Sequence, residues 1–249
     1  MSHYVSGSAP IHPDDDMYAG SLVHYEACGA QFADFAERAA GMTGASSPQI
    51  LELPCGYGRV TRHLVKRFEP SHIVVADLMA PAADFAAQTF GVKAYPITEP
   101  INEFHAIPEG FDLTLMGSLI THLSERDALT VLTHFLGKLA PGGVAVITTT
   151  GMRAHEMLQA DEWFKFYPED RTALLEAYAH DQFGFANYRA AETFEKKTVD
   201  ALGKYYGLSL IPRAWMQTVL ERLGFTVLQF EPGAWDNHQD VFYIGHASF

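Results

Sequence analysis

Apolar residues along this chain follow two alternating rhythms. Short apolar runs bounded by glycine, proline or acids alternate with stretches in which apolar positions return every three or four residues. The runs at 50–53, 73–76, 93–97, 111–116 and 144–149 predict buried strands. The stretches at 59–68, 81–90 and 125–139 predict helices, and Pro141-Gly142-Gly143 predicts a turn. Strand and helix taken in alternation predict a parallel sheet covered on both faces. Ahead of the first strand, Leu22, Tyr25, Phe32, Phe35 and Ala36 return at helical spacing and predict one or two helices over 17–40. The rhythm breaks over 152–206, a stretch rich in charge and aromatics with helical character at 170–178. It resumes with a helix over 212–223 and closes with strands at 225–230 and 241–246 around a turn containing Gly233. The expectation is one α/β domain spanning 1–249, with a helical N-terminal cap over 1–45 and a helical, aromatic lid inserted at 152–206.

Composition narrows this picture. An apolar fraction of 48% is ample for a core in a chain of 249 residues. The formal net charge is −13, and no cluster of Lys and Arg provides the electrostatic footprint that sequence-independent nucleic-acid binding needs. A nucleic-acid partner is therefore not expected. Cys28 and Cys55 alone make neither a disulfide framework nor a cysteine zinc site. No apolar stretch approaches membrane-spanning length, and no basic segment followed by an apolar run opens the chain. A cytoplasmic protein without a membrane partner is the expectation.

The chemistry-bearing stretch is Ile50-Leu51-Glu52-Leu53-Pro54-Cys55-Gly56-Tyr57-Gly58-Arg59-Val60. A strand ends in an acid, and two glycines precede a helix. Glycine adopts positive φ without a Cβ penalty and lets backbone N–H groups approach a ligand at the sheet edge. A nucleoside-type cofactor is the economical reading. Asp77 follows Glu52 by about the interval expected for an acid on a ribose diol, since a carboxylate accepts from two hydroxyls at once. The alternative role for Asp77 is a helix N-terminal acid. A nicotinamide dinucleotide is a rival ligand, but its fingerprint wants a third glycine where this chain has Thr61. Glu52 sits in an apolar run, where an unpaired carboxylate is expensive.

Four blocks in register resemble the class I S-adenosylmethionine (SAM)-dependent methyltransferases. They are Leu51-Glu52-Leu53-Pro54-Cys55-Gly56-Tyr57-Gly58-Arg59, Ile73-Val74-Val75-Ala76-Asp77-Leu78, Phe111-Asp112-Leu113-Thr114-Leu115 leading to Ile120-Thr121-His122-Leu123, and Leu139-Ala140-Pro141-Gly142-Gly143. Pro54 stands where the family usually has glycine, which removes one N–H. The resemblance implies a Rossmann-like, seven-stranded, mostly parallel sheet whose last strand is antiparallel, with the helical insertion after the fifth strand. It implies SAM as cofactor. Gly56 and Gly58 would pass under its methionine part, and Asp77 would take the ribose. Leu78 would pack on adenine, with Thr98 or Glu99 as the further adenine contact. Glu52 would position the methionine ammonium, and Met116, Gly117 and Ser118 would close the methionine side by backbone contacts. Tyr18 and Tyr25 ahead of the core would cover the cofactor, with packing as their alternative role.

A methyl acceptor that is a hydroxyl or ammonium must lose a proton, which asks for a base. His122 after the fourth strand, His180 in the insertion and His238 in the polar run 235–240 are the candidates. His122 has a supporting role as its alternative, and His238 a hydrogen-bonded turn. No His/Asp/Glu spacing makes a metal site. The insertion carries Trp163, Phe164, Phe166, Tyr167, Tyr178, Phe183, Phe185 and Tyr188. These suit a lid over a small organic acceptor such as a sugar or natural product, methylated at oxygen or nitrogen. Alternatively they pack on themselves, or on a second subunit of a homodimer. A non-catalytic cofactor-binding or dimerisation module of the same fold is the competing reading of the whole chain.

Overall fold

The computed structural model describes residues 9–97, 104–160, 166–188 and 206–247. Helix α1 (Leu22–Thr43) is capped by the Ser21 side chain, which accepts from His24 N–H at 3.3 Å, and ends at Gly44 with φ +72°. Its buried face repeats at helical spacing through Tyr25, Cys28, Gly29, Phe32, Ala36 and Ala39. Strand β1 (Ile50–Glu52) follows, then a single α-helical turn, α2 (Thr61–Leu64), where the periodicity predicts a longer helix. Next come β2 (Ile73–Asp77), α3 (Ala80–Phe90), β3 (Lys93–Pro96), β4 (Phe111–Met116), α4 (Glu125–Leu136) and β5 (Leu139–Thr150). The Ser124 hydroxyl starts α4, donating to Asp127 Oδ2 at 2.7 Å and accepting from Asp127 N–H at 3.3 Å.

The main sheet has seven strands in the order β3-β2-β1-β4-β5-β9-β8, where β8 is Phe225–Trp235 and β9 is Gln239–His246. β1 pairs in parallel with both β2 and β4, so the strand order reverses at β1. β2 and β3 are also parallel, while β8 and β9 are antiparallel. β1 and β2 are buried throughout, as parallel strands covered on both faces must be. The alternation predicts the parallel part of this sheet, and the seven strands with an antiparallel last strand are the Rossmann-like arrangement that the family resemblance implies. All seven predicted strands are present, with boundaries moved by a few residues.

Contacts divide the chain into two compact units, 1–117 with 134–146, and 118–133 with 147–249. The first contains β1 to β4, α1 to α3 and their connections. The second contains the insertion, with α5 (Met152–Gln159), α6 (Pro168–Ala179) and an antiparallel pair, β6 (Gly184–Asn187) and β7 (Gly207–Leu210). It also holds α7 (Arg213–Arg222). The β6–β7 pair is an addition to the helical insertion read from the sequence. Four-residue strands carrying glycine give too little alternation to register as period two. Among the insertion's aromatics, Phe166 and Tyr188 are buried in a cluster with Leu158, Leu174, Leu208 and Leu210, against which Tyr178 packs. Phe183 lies on Trp215 at 4.8 Å between ring centres. Tyr167 is exposed, and Trp163 and Phe164 lie outside the described residues. Among the described residues no helix is long and apolar enough to cross a membrane.

Candidate functional site

Beyond β1 the chain stays tied to its neighbours. Leu53 N–H donates to Leu115 O at 2.9 Å and Cys55 N–H to Ala76 O at 3.1 Å, which brings the next residues to the carboxyl ends of β4 and β2. The turn then tightens, with Gly58 N–H on Cys55 O at 3.0 Å. Gly56 has φ +52° and Gly58 φ +85°, both in the left-handed region that favours glycine. The two glycines differ in surroundings. A Cβ on Gly56 would meet nothing within 4 Å, whereas one on Gly58 would strike the Phe90 ring of α3. Gly56 therefore borders open space and Gly58 is a packing contact.

Asp77 ends β2 and is 4% exposed. One carboxylate oxygen accepts from Gly56 N–H at 2.8 Å and the other from Met79 N–H at 2.9 Å. Burial raises its pKa above the usual carboxylate range, against the opposing pull of these N–H groups. Leu78 and Met79 follow, half-buried, and Met116 is fully buried at the end of β4. Glu52 is 3% exposed and accepts the Thr61 hydroxyl at 2.7 Å. Burial pushes its carboxyl up to about 8; the Thr61 hydrogen bond opposes this and the Asp77 charge adds to it. Thr61, the residue that departs from the dinucleotide fingerprint, is thus the partner that makes a buried Glu52 tolerable. Its side chain carried no warning of that role, because the contact spans nine residues and depends on the turn between them.

The segment ahead of α1 lies against the same turn. The His12 ring stacks on Tyr57, between the two glycines, at 4.2 Å and 7°. Arg62, 2% exposed, donates to the carbonyls of Ala9 and Pro10, each at 3.1 Å, and to Glu26 Oε1 at 3.1 Å. Tyr25 is wholly buried beneath this segment, with its hydroxyl donating to Asp15 Oδ2 at 2.6 Å. Burial, then the Asp15 charge, drives its phenol pKa upward. Thr98 and Glu99 lie outside the described residues.

The second unit holds a polar cluster of its own. Ser118 has φ +57°, unusual for a residue with a Cβ. Its N–H donates to Thr148 Oγ1 at 2.9 Å, the Thr148 hydroxyl donates to Gln239 Oε1 at 2.7 Å, and Gln239 Nε2 returns to Ser118 Oγ at 3.1 Å. His122 reaches a backbone carbonyl, Gly207 O, from Nδ1 at 3.0 Å. A carbonyl only accepts, so Nδ1 carries the proton and Nε2, 3.4 Å from Ser118 Oγ, carries the lone pair. Tyr206 stacks on this ring at 4.6 Å, and burial pushes the His122 pKa down to about 4. The same logic fixes His238: Nδ1 donates to Asp236 O at 2.7 Å, leaving the Nε2 lone pair beside Gln239 Nε2 at 3.4 Å. His180 is exposed at the end of α6, with Nδ1 on Glu176 O at 2.8 Å. The structure therefore joins His122 and His238 through Ser118 and Gln239, and leaves His180 apart from that network. The sequence singles out Ser118 for backbone contacts on the methionine side and Gln239 as part of the polar run 235–240, but not Thr148, nor the hydrogen bonds that join the three, which exist only once the strands are neighbours.

Residues 51–145 match the family model of a methyltransferase domain. No curated protein matches this chain. Several solved structures share the fold at low identity. A SAM-dependent methyltransferase from Clostridium acetobutylicum is 14% identical, with 88% of this chain and 92% of that one covered and a TM-score of 0.59. CalS10 from Micromonospora echinaspora, a SAM-bound amino pentose methyltransferase, is 16% identical, with 88% and 92% covered and a TM-score of 0.57. The Burkholderia thailandensis 1,6-didemethyltoxoflavin N1-methyltransferase, solved with that substrate and S-adenosylhomocysteine, is 15% identical over 99% of each chain, with a TM-score of 0.52.

Proposed function

We propose that this chain is a class I SAM-dependent methyltransferase and that it methylates oxygen or nitrogen of a small organic acceptor. The observation that carries the reading is the bond from Gly56 N–H to Asp77 Oδ2, which joins the glycine turn to the acid of the second strand. When bound, SAM supplies an electrophilic methyl on a sulfonium. The residues fit such a ligand. Gly56 borders open space, and each Asp77 oxygen, having accepted one backbone N–H, keeps a second lone pair for a ribose hydroxyl.

In this reading Leu78 packs on the adenine, with Thr98 or Glu99 as its polar contact. Met116 borders the methionine side, and Gly58 shapes the turn through its packing on Phe90. Glu52, held by Thr61, supports the turn and offers an acid to the methionine ammonium. Tyr25 acts indirectly, by fixing the Asp15 segment across the turn. Small-molecule acceptors are favoured by the amino pentose and didemethyltoxoflavin enzymes that share the fold.

For a base, His238 is preferred over His122 and His180. A useful general base has a pKa near the working pH, and desolvation has made His122 too weak a base for that task. His238 has its tautomer set by Asp236 O, so Nε2 is the proton acceptor. His122 then orients Ser118. The test is calorimetry with S-adenosylhomocysteine on the wild type and Asp77→Ala. Binding by the wild type, weakened about tenfold or more by the substitution in a still-folded protein, supports the reading. No binding by the wild type overturns it.

A further inference from the structure

The segment ahead of α1 is fastened at three points. The first is the Arg62 guanidinium, which is buried and lies over the rings of Tyr25 and Phe90, 5.0 and 5.7 Å from their centres. Nη1 and Nη2 hold the carbonyls of Ala9 and Pro10, Nη1 also reaches Glu26 of α1, and Nε donates to Gly58 O at 3.4 Å. One side chain thus grips the segment, α1 and the glycine turn together. The second point is Asp15, which accepts the Tyr25 hydroxyl. The third is His12, whose ring stacks on Tyr57 and meets Phe85 of α3 edge-on at 4.9 Å. His12 Nδ1 accepts from Asp14 N–H at 3.1 Å, so the ring is oriented from within its own segment.

His12 therefore bridges the two stretches that meet at the bond from Gly56 N–H to Asp77. Tyr57 lies in the turn itself, and α3 begins shortly after Asp77, at Ala80. The Tyr57 phenol marks the same junction: burial, then the charges of Asp14, Asp15, Asp16 and Asp77, raises its pKa. The space beside Gly56 stays open all the same, since a Cβ there meets nothing within 4 Å. At its other end the segment joins α1 through Gly20. This residue has φ +82°, and nothing lies within 4 Å of the place its Cβ would take. A glycine in open space, just before the N-cap Ser21, absorbs a rotation without strain.

We propose that residues 9–19 form a strap that gates the cofactor site, hinged at Gly20, latched by Arg62 and seated by the His12 ring on Tyr57. This rests on the SAM reading above and adds how the cofactor is admitted and released. The strap lifts to let the ligand reach Gly56 and Asp77, and reseats to enclose it. Arg62 and His12 are positioning residues: they set the fraction of time the strap is open, and that fraction limits entry and exit alike. Loosening the strap raises both rate constants. Losing an ordinary wall of a bound ligand raises dissociation alone.

Surface plasmon resonance of the full chain with S-adenosylhomocysteine gives both rate constants. His12→Ala should raise each of them about three- to tenfold, the scale of one aromatic stack. His12→Phe keeps a ring on Tyr57 and should stay within about twofold of the wild type. Arg62→Lys keeps the charge but loses the fork that spans two carbonyls, and should raise both about tenfold. Exchange of the Arg62 guanidinium protons with water, followed by NMR without ligand, reports lifting directly, because Nη1 and Nη2 sit on the strap's carbonyls. In His12→Ala it should quicken by the same factor as association. If Arg62→Lys does not fold, His12→Ala decides, since its ring is only the seat of the strap. Faster dissociation with unchanged association overturns the gate, as does faster proton exchange without faster association. Binding by the wild type with rates unmoved in His12→Ala overturns the strap and leaves the methyltransferase reading standing. No binding by the wild type overturns both.

Discussion

Substituting Glu52 by glutamine should remove most of a pH dependence that the wild type carries. Glu52 is buried, and burial lifts its pKa from the ordinary 4.5 to about 8 in the folded protein. A raised folded pKa means that the native state holds a proton the unfolded state has already released. Stability is therefore full below pH 4.5 and is lost as pH rises toward 8. The slope is about 1.4 kcal/mol per pH unit, so the whole window amounts to about 5 kcal/mol as a ceiling. Relaxation and water entry around the ionised form reduce the observed figure, and coupling to Asp77 spreads part of it over two groups. Glutamine keeps the shape and an acceptor for the Thr61 hydroxyl, but has nothing to ionise. Urea unfolding at pH 5, 6.5 and 8 measures both proteins. The variant should be equal or slightly weaker at pH 5 and more stable by at least about 2 kcal/mol at pH 8, the portion expected to survive relaxation. Parallel curves for the two proteins across that range would refute the argument.

Gly56→Ala meets open space and should lose about 1 kcal/mol to its positive φ alone, while Gly58→Ala also strikes Phe90 and should lose more. Equal losses in urea unfolding would contradict the packing role of Gly58. At Ser118 the usual ranking should invert, with Gly more stable than Ala by about 1 kcal/mol because only glycine relieves φ +57°. Thermal melts of the two variants decide this. Finally, a fixed positive charge near Glu52 favours its ionised form. Calorimetry at pH 7.5 in buffers of different ionisation enthalpy should then show more protons released by SAM than by S-adenosylhomocysteine, which lacks the sulfonium. Equal proton counts would place the sulfonium away from Glu52.

Much of this protein was legible in one dimension. Local alternation of apolar runs and helical periods reaches the strands, because burial on both faces forces continuous apolar runs on β1 and β2 whatever the rest of the chain does. The glycine turn and Asp77 were legible for the same kind of reason: positive φ at a strand end and an acid at a fixed interval are local demands. The partnerships were not. Thr61 with Glu52, Ser118 with Gln239 across 121 residues, and Asp240 against Gly151 exist only because the sheet order makes distant strand ends neighbours. A side chain's pKa belongs to that second level as well. The sequence marks Glu52 as an acid in an apolar run, but only its burial and the company of Asp77 turn it into a group that holds its proton near neutrality. Backbone propensity and hydrophobic periodicity act over a few residues, whereas desolvation and hydrogen-bond satisfaction depend on what the folded chain brings within a few ångströms.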